Sequence, residues 1–377
     1  MILFFMVGSL RIGRILGIPI EVHYTWIIVF GLITNTLATS YLSNYTLYTS
    51  PYVNWIIGAI ASLIFFVCVA MHEIMHSYTA IKLGLKIRRI TLFMFGGIAE
   101  IEGEPKSARD ELFISIMGPV TSALLALVFF LFSRFPFNPL SPIGGAILYL
   151  YRVNLILAGF NLIPAFPLDG GRVLRAILWM SLKNYRKATR ISTGIGMTFA
   201  TMIMFLGFYI LLFGQFITGL WFIFIGWFLS QGAMSGEREV DIREAFTDAR
   251  VKDLMSKEVQ SVPPNINIED LVLNYFLSYR YVAFPVMWGD NILGIVTLND
   301  IRKIPREEWK NYTVRDIMTP MSSDLTITPE ESAFDAFLKI NKGSVGRLLV
   351  VEEDKLIGII SKTDLIRFLQ IKSMISS

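Results

Sequence analysis

Two histidines and a glutamate lie close together in the run Met71-His72-Glu73-Ile74-Met75-His76. Residues four apart lie on one face of an α-helix, one turn from each other, so both imidazoles can reach one metal ion. Glu73 lies beside that face, where it can take a proton from a metal-activated water. The H-E-x-x-H spacing is typical of zinc sites that use the glutamate as a general base. It predicts His72 and His76 as zinc ligands.

The segment that carries this motif is apolar from Tyr52 to Ala80, and its only fixed charge is Glu73. A helix of that length spans a bilayer. Ionisable side chains are costly there, so a functional site is the default interpretation. The alternative is a polar contact between helices, with Glu73 hydrogen-bonded to a neighbour.

The third ligand is less directly indicated. The chain has one cysteine, Cys68, and only one further histidine, His23. The third ligand is therefore either His23, which lies where the first apolar run begins, or a carboxylate. We expect Asp169, and the alternative for this residue is a helix cap or an ion pair with Arg172.

Asp169 ends the run Asn161-Leu-Ile-Pro-Ala-Phe-Pro-Leu-Asp169, whose prolines should end a helix. Asn161 and Asp169 are then on irregular backbone. The Asn161 amide is placed to stabilise a tetrahedral oxyanion, or equally to hydrogen-bond between helices.

The elements that must position these groups are membrane helices. The chain has 377 residues, of which 54% are hydrophobic, and this composition indicates a polytopic membrane protein. Hydropathy predicts six spans, of which five are at about 24–41, 52–82, 111–133, 191–213 and 217–234, and the fourth runs from about Ala146 into the run that begins at Phe160. Basic residues cluster in alternate connections, which predicts a multi-pass protein with both termini cytosolic. Arg152, inside the fourth apolar run, is the exception. By analogy, we expect this protein in the cell membrane.

The net charge of +4 is modest, and we expect no nucleic-acid partner.

Between the second and third spans, the run ITLFMFGGIAEIEGE has two extended parts joined by Gly96-Gly97, which predicts a β-hairpin. Its edge could hold an extended substrate by strand addition. The alternative is a connector without substrate contact.

The character of the chain changes after a charged linker, 236–250. Val251-Lys-Asp-Leu-Met255 recurs as Val314-Arg-Asp-Ile-Met318, and Gly294-Ile-Val-Thr-Leu-Asn-Asp300 recurs as Gly358-Ile-Ile-Ser-Lys-Thr-Asp364. We therefore divide the chain into a membrane domain, 1–235, and two soluble α/β copies, 251–308 and 309–377.

The first domain resembles the site-2 protease family of intramembrane zinc metalloproteases. The resemblance rests on the His72–His76 motif, on Phe95-Gly96-Gly97 and on the run from Asn161 to Arg172. It implies that His72, His76 and Asp169 bind one zinc ion and that Glu73 is the catalytic base. It also implies that the substrates are single-span membrane proteins.

The repeat is similar to a tandem pair of cystathionine-β-synthase (CBS) domains, which often bind adenine nucleotides such as AMP or ATP between the copies. By motif position, Thr297 with Asp300 and Ser361 with Asp364 would contact ribose hydroxyls. The alternative is a pair that binds nothing and only forms a homodimer.

We therefore expect a zinc-dependent intramembrane endopeptidase of about six transmembrane helices with a small β-hairpin, regulated by cytosolic tandem CBS domains. One alternative is a CBS-gated transporter or channel that uses the acid and the histidines to move ions. A second alternative is an inactive scaffold.

Overall fold

The structure is a computed structural model that describes residues 8–45, 50–94, 96–103, 105–134, 141–247, 249–343 and 345–376. Phe95, part of the predicted hairpin, lies outside these ranges. Contacts divide the chain into two compact units, Met1–Glu237 and Arg238–Ser377.

The first unit is built mainly of helices. They are α1 Thr25–Thr36, α2 Pro51–Lys82, α3 Ala108–Phe132, α4 Pro142–Asn161, α5 Asp169–Leu182, α6 Tyr185–Leu212 and α7 Phe216–Ala245, which runs past the end of this unit. Within the described ranges, five helices are long and apolar enough to cross a membrane, namely α2, α3, α4, α6 and α7. They overlap the second to sixth predicted spans, although α7 continues to Ala245 and so extends the helix into the predicted linker, 236–250.

The first predicted span differs from the other five. It is an α-helix of 12 residues, Thr25–Thr36, continued by a π-helix, Leu37–Tyr41. A helix needs about 20 residues to cross the hydrocarbon core. The apolar run at 24–41 is therefore helical as expected but short for a full span.

Local sequence sets the helix ends. Ser107, Ser141 and Asn184 cap α3, α4 and α6, each accepting a hydrogen bond from a backbone N–H in the first turn. α4 ends at Asn161, ahead of Pro164 and Pro167, so the prolines end the helix as predicted. The expectation that Asn161 and Asp169 lie on irregular backbone is wrong, because each is the terminal residue of a helix. α5 then begins at Asp169.

The first unit also contains a four-stranded sheet in the order β1-β2-β3-β4. Its strands are β1 Ser9–Ile15, β2 Ile18–His23, β3 Lys86–Phe93 and β4 Gly96–Glu102. β3 and β4 form the predicted antiparallel hairpin, and β2 runs parallel to β3. The N-terminal residues, which we expected to be a short interfacial segment, supply β1 and β2. Among the described residues, the edge strands of the sheet are β1 and β4.

α3 is central to the packing of this unit, because it contacts α2, α4 and α5. The motif histidines are on α2 and the aspartate is on α5. Groups from these two helices can therefore meet against α3.

The second unit contains two three-stranded sheets, in the orders β5-β6-β7 and β10-β9-β8. Its strands are β5 Ala283–Trp288, β6 Asn291–Thr297, β7 Thr319–Pro320, β8 Thr326–Ile327, β9 Arg347–Glu352 and β10 Lys355–Ser361. Its helices are α8 Val251–Leu254, α9 Ile268–Leu271, α10 Leu277–Tyr279, α11 Leu298–Ile301, α12 Val314–Ile317, α13 Ala333–Lys342 and α14 Lys362–Ser376. An apolar cluster of Ala283, Ile295, Leu325 and Leu349 joins the two copies of the repeat.

Candidate metal centre

Three potential ligand atoms converge inside the first unit. The Nε2 atoms of His72 and His76 lie 3.2 Å apart, and they lie 3.1 and 3.2 Å from Oδ2 of Asp169. The two imidazole side chains are 4% and 7% exposed, and the carboxylate is 16% exposed. Four-coordinate zinc with bonds of about 2.0–2.1 Å needs ligand atoms about 3.3 Å apart. The three separations fit one such ion.

The second ring nitrogen of each histidine is already engaged. His76 Nδ1 lies 2.6 Å from the carbonyl oxygen of Ile114, so this nitrogen carries the proton and donates it. When the imidazole is neutral, Nε2 of His76 then presents a lone pair to its neighbours. His72 Nδ1 lies 2.9 Å from the Ser122 hydroxyl. Such partners of the outer ring nitrogens orient metal-binding imidazoles.

In the neutral imidazole, the His76 Nε2 lone pair would face another nitrogen and a carboxylate oxygen, which is unfavourable in a buried site unless a metal ion or a proton lies between them. The side chains present, and not only their spacing in the sequence, therefore fit a metal ion.

α3 approaches the two imidazoles closely at Gly118. A Cβ atom at this position would lie 2.6 Å from His72 Nε2 and nearer still to His76 Nε2. Glycine is therefore required for α3 to lie against the imidazoles. The sequence indicated only that Gly118-Pro119 is a kink or a close-packing point.

Asp169 is the first residue of α5, and the loop that precedes it packs against the start of this helix. A Cβ at Gly170 would strike the carbonyls of Leu162 and Ile163, and one at Gly171 would strike Ala165 and Phe166. The two glycines therefore let the start of α5 fold against the loop. Asp169 points to the imidazoles, and no ion pair joins it to Arg172 in the part of the chain that the structure covers.

Glu73 lies next to the three candidate ligands but is not one of them. The donor atoms within 4.8 Å of one another are those of His72, His76 and Asp169. The Glu73 side chain packs on β4, where a Cβ added to Gly97 would meet its Cγ and Cδ. The hairpin backbone thus fixes the position of this carboxyl group beside the candidate ligands.

Two other predicted groups lie elsewhere. His23 is buried, with Nδ1 2.9 Å from the Thr25 hydroxyl, and it is outside the ligand group. Asn161 donates its side-chain amide to the carbonyl of Leu157 in its own helix, at 3.1 Å. Its contribution to an oxyanion site stays a prediction.

In the second unit, each predicted pair of nucleotide contacts forms a helix cap. Thr297 Oγ1 donates to Asp300 Oδ2 at 2.7 Å, and Ser361 Oγ donates to Asp364 Oδ2 at 2.6 Å. Lys303 occupies Oδ1 of Asp300 at 3.0 Å. The bonds made by Asp364 use Oδ2 and not Oδ1.

A residue that the sequence did not single out lies beside the second pair. Arg347 begins β9 and faces Ser361 in the ladder, whereas the same position of the first copy, opposite Thr297, is Ala283. Burial lowers the pKa of Arg347, and Asp364 partly offsets that effect. Its Nε is buried and has no hydrogen-bond partner among the described residues. An internal comparison of the two copies could have revealed this asymmetry.

Comparison with known proteins places these sites in context. The peptidase family M50 matches residues 60–146 and 141–205, and the CBS domain family matches 251–307 and 314–371. The chain is 35% identical to the zinc metalloprotease MJ0392 of Methanocaldococcus jannaschii over 96% of both chains. It is 28% identical to the stage IV sporulation protein FB of Bacillus subtilis, over 40% of this chain and 53% of that protein.

Among solved structures, a site-2 protease from Methanocaldococcus jannaschii is 37% identical. The match covers 61% of this chain and 95% of that one, with a TM-score of 0.42.

Proposed function

Since the chain belongs to peptidase family M50, the site-2 proteases, and is a zinc metalloprotease with tandem CBS domains, we propose that it cleaves peptide bonds within or near transmembrane segments of membrane proteins. The observation that carries the proposal is that three ligand atoms converge beside a membrane-spanning helix. His72 and His76 lie on that helix, α2, and Asp169 is the first residue of α5. A hydrolytic site at that place requires a substrate that enters the membrane.

In this proposal His72, His76 and Asp169 would hold the zinc ion, which would supply a Lewis acid for activating water and polarising the scissile carbonyl. Ser122 and the Ile114 carbonyl fix the orientation of the imidazoles through their outer nitrogens. The ligands therefore need little rearrangement to bind the ion.

Glu73 acts as the general base. It accepts the proton of the attacking water and returns it to the nitrogen of the leaving amine. Its close approach to Gly97 limits the positions that the side chain can take. The Asn161 amide is the candidate for stabilising the oxyanion, for which it must leave its bond to Leu157.

The substrate is an unwound segment of a single-span membrane protein. A helical peptide bond is shielded by its own helix, so the substrate must become extended before attack. β4 is an edge strand that passes Glu73, and strand addition to this edge would carry an extended segment past the base.

The arrangement in the cell follows from the charge pattern. Basic residues in alternate connections predict that both termini and the CBS pair are cytosolic, with the helices in the cell membrane. We further propose that AMP or ATP binds the CBS pair, alone or in a homodimer, and changes the rate of proteolysis.

Arg347 supports the proposal of an anionic ligand in the second copy, because its buried Nε lacks a hydrogen-bond partner among the described residues and Asp364 Oδ1 takes no part in the cap bonds. A phosphate and a ribose would satisfy these two groups. Thr297 and Asp300 of the first copy lack an equivalent arginine, and Lys303 already binds the carboxylate.

The protease is tested by measuring zinc content and cleavage of a generic single-span substrate in detergent, for wild type, Glu73→Gln and Glu21→Gln. Glu21→Gln is the control, since Glu21 binds Ser9 and Arg89 in the sheet. We expect about one zinc per chain in all three proteins. Wild type and Glu21→Gln should cleave the substrate, and Glu73→Gln should not. Absence of zinc from the wild type would refute the proposal, as would cleavage by Glu73→Gln at the wild-type rate.

The nucleotide proposal is tested on the full chain by titration calorimetry with AMP and with ATP, followed by proteolysis at saturating ligand. Asp364→Asn should weaken binding more than Asp300→Asn. Equal rates of proteolysis with and without bound AMP or ATP would exclude regulation by the nucleotide. Absence of nucleotide binding would favour the alternative, in which the CBS pair only forms a homodimer.

A further inference from the structure

A buried ion pair joins the two helices on which the candidate metal centre depends. Glu111, in the first turn of α3, is fully buried, and Arg175 of α5 is 7% exposed. Arg175 Nε donates to Glu111 Oε1 at 2.7 Å, and its Nη2 contacts the same oxygen. In an apolar environment, this charged contact fixes one relative position of the two helices.

Aromatic rings restrain the guanidinium as well. The Arg175 guanidinium carbon lies 5.3 Å from the centre of the Phe166 ring and 5.0 Å from that of Tyr185. Phe166 belongs to the loop that leads into Asp169. Arg175 therefore contacts α3, this loop and the start of α6 at once.

The two helices bring complementary parts of the metal centre. α3 contributes the partners of both imidazoles, Ser122 and the Ile114 carbonyl. α5 begins with Asp169. A shift of α5 along α3 would therefore change the distance between the carboxylate and the imidazoles.

We propose that the Glu111–Arg175 pair is a positioning unit that sets the Asp169 carboxylate at ligand distance from His72 and His76. The inference rests on the metal centre of the proposed function. Neither residue touches the ligand atoms, so both act through the helices that carry them.

Stability alone does not account for this pair. A buried ion pair can often be replaced by apolar side chains without loss of stability, because desolvation offsets much of the attraction. Glu111 Oε2, moreover, has no hydrogen-bond partner among the described residues. Compared with an apolar contact, the charged pair restricts the relative position of α3 and α5 more closely, because the guanidinium group fits a carboxylate in few geometries.

The test is cobalt(II) binding to the full-length, metal-free protein in detergent, followed by visible absorption. Arg175→Lys is the principal variant, since it keeps the charge and removes the fork. Glu111→Gln is the second variant, although it leaves a buried arginine unpaired and is expected to lower thermal stability. Glu21→Gln is the matched control, because it breaks the ion pair to Arg89 elsewhere in the same unit.

We expect Arg175→Lys to raise the cobalt dissociation constant about 10–100-fold and to change the visible spectrum, which reports the geometry of the ligands. Glu21→Gln should alter neither. An unchanged constant and spectrum in Arg175→Lys would overturn the inference whatever the melting temperature does. If wild type itself binds no cobalt or zinc, the metal centre of the proposed function fails, and the inference fails with it. If wild type binds metal but does not cleave, only the proposed reaction fails.

Discussion

Replacing Gly118 with alanine would place a methyl group against the candidate zinc ligands. The new Cβ would lie 2.6 Å from His72 Nε2, whereas an ordinary contact begins at 3.4 Å, so that atom must retreat by 3.4 − 2.6 = 0.8 Å. His76 Nε2 is closer and must move further. Metal sites tolerate errors in ligand distance of about 0.2 Å. The substitution should therefore destroy the site.

The expected loss of metal affinity exceeds the roughly 10–100-fold cost of removing a partner of a ligand, since here the ligands themselves are displaced. The free energy of unfolding should fall by only about 1–3 kcal/mol, which is the usual cost of inserting a methyl group into a packed core. Binding and folding can therefore be separated in one experiment, by measuring the zinc dissociation constant and the melting temperature of the metal-free protein.

The matched control is Gly159→Ala, in α4 of the same unit. A Cβ at Gly159 meets nothing within 4 Å, so this variant should bind zinc as the wild type does. If Gly118→Ala bound zinc with wild-type affinity while remaining folded, the position of α3 against the imidazoles would be wrong, and so would the three-ligand geometry built on it.

Three further substitutions probe separate contacts. Gly97→Ala should displace the Glu73 carboxylate and lower kcat by about 10²-fold, with zinc content unchanged. Ser122→Ala should remove the partner of His72 Nδ1 and weaken zinc binding about 10–100-fold, measured by competition with a chelator. Arg347→Gln should weaken AMP or ATP binding about 10–100-fold, because a charge-assisted hydrogen bond contributes about 1.5–3 kcal/mol, measured by calorimetry.

Each of these has an outcome that contradicts it. Full activity in Gly97→Ala would show that the hairpin does not position the base. Unchanged zinc affinity in Ser122→Ala would mean that the hydroxyl does not orient the ring. Equal nucleotide affinity in Arg347→Gln would show that the buried Nε does not face the ligand.

Much of the fold is readable from local sequence. Apolar runs long enough to span a bilayer predicted α2, α3, α4, α6 and α7, because hydropathy and length depend on neighbours in the chain. The prolines before Asp169 predicted the break between α4 and α5. The helical spacing of His72 and His76 placed both imidazoles on one face, where the structure has them.

Contacts between distant segments were not readable in this way. Nothing near Ser122 or Ile114 in the sequence indicates a histidine partner, since each meets α2 only after the helices pack. The pair of Glu111 and Arg175 is hidden for the same reason, and Arg175 resembles any other basic residue beside a membrane segment. Strands β1 and β2 were missed because their pairing with β3 depends on residues far along the chain.

The two imidazoles are anchored by different kinds of atom, and this has an evolutionary consequence. The anchor of His72 is a side-chain hydroxyl, so position 122 is constrained to residues that can bond to Nδ1. The anchor of His76 is a backbone carbonyl, which every amino acid supplies. Position 114 is thus free to drift among apolar residues that fit the core, while the anchor itself cannot be lost by point mutation. Among relatives, variation at 114 should therefore be accompanied by an unchanged histidine at 76, whereas changes at 72 and 122 should occur together.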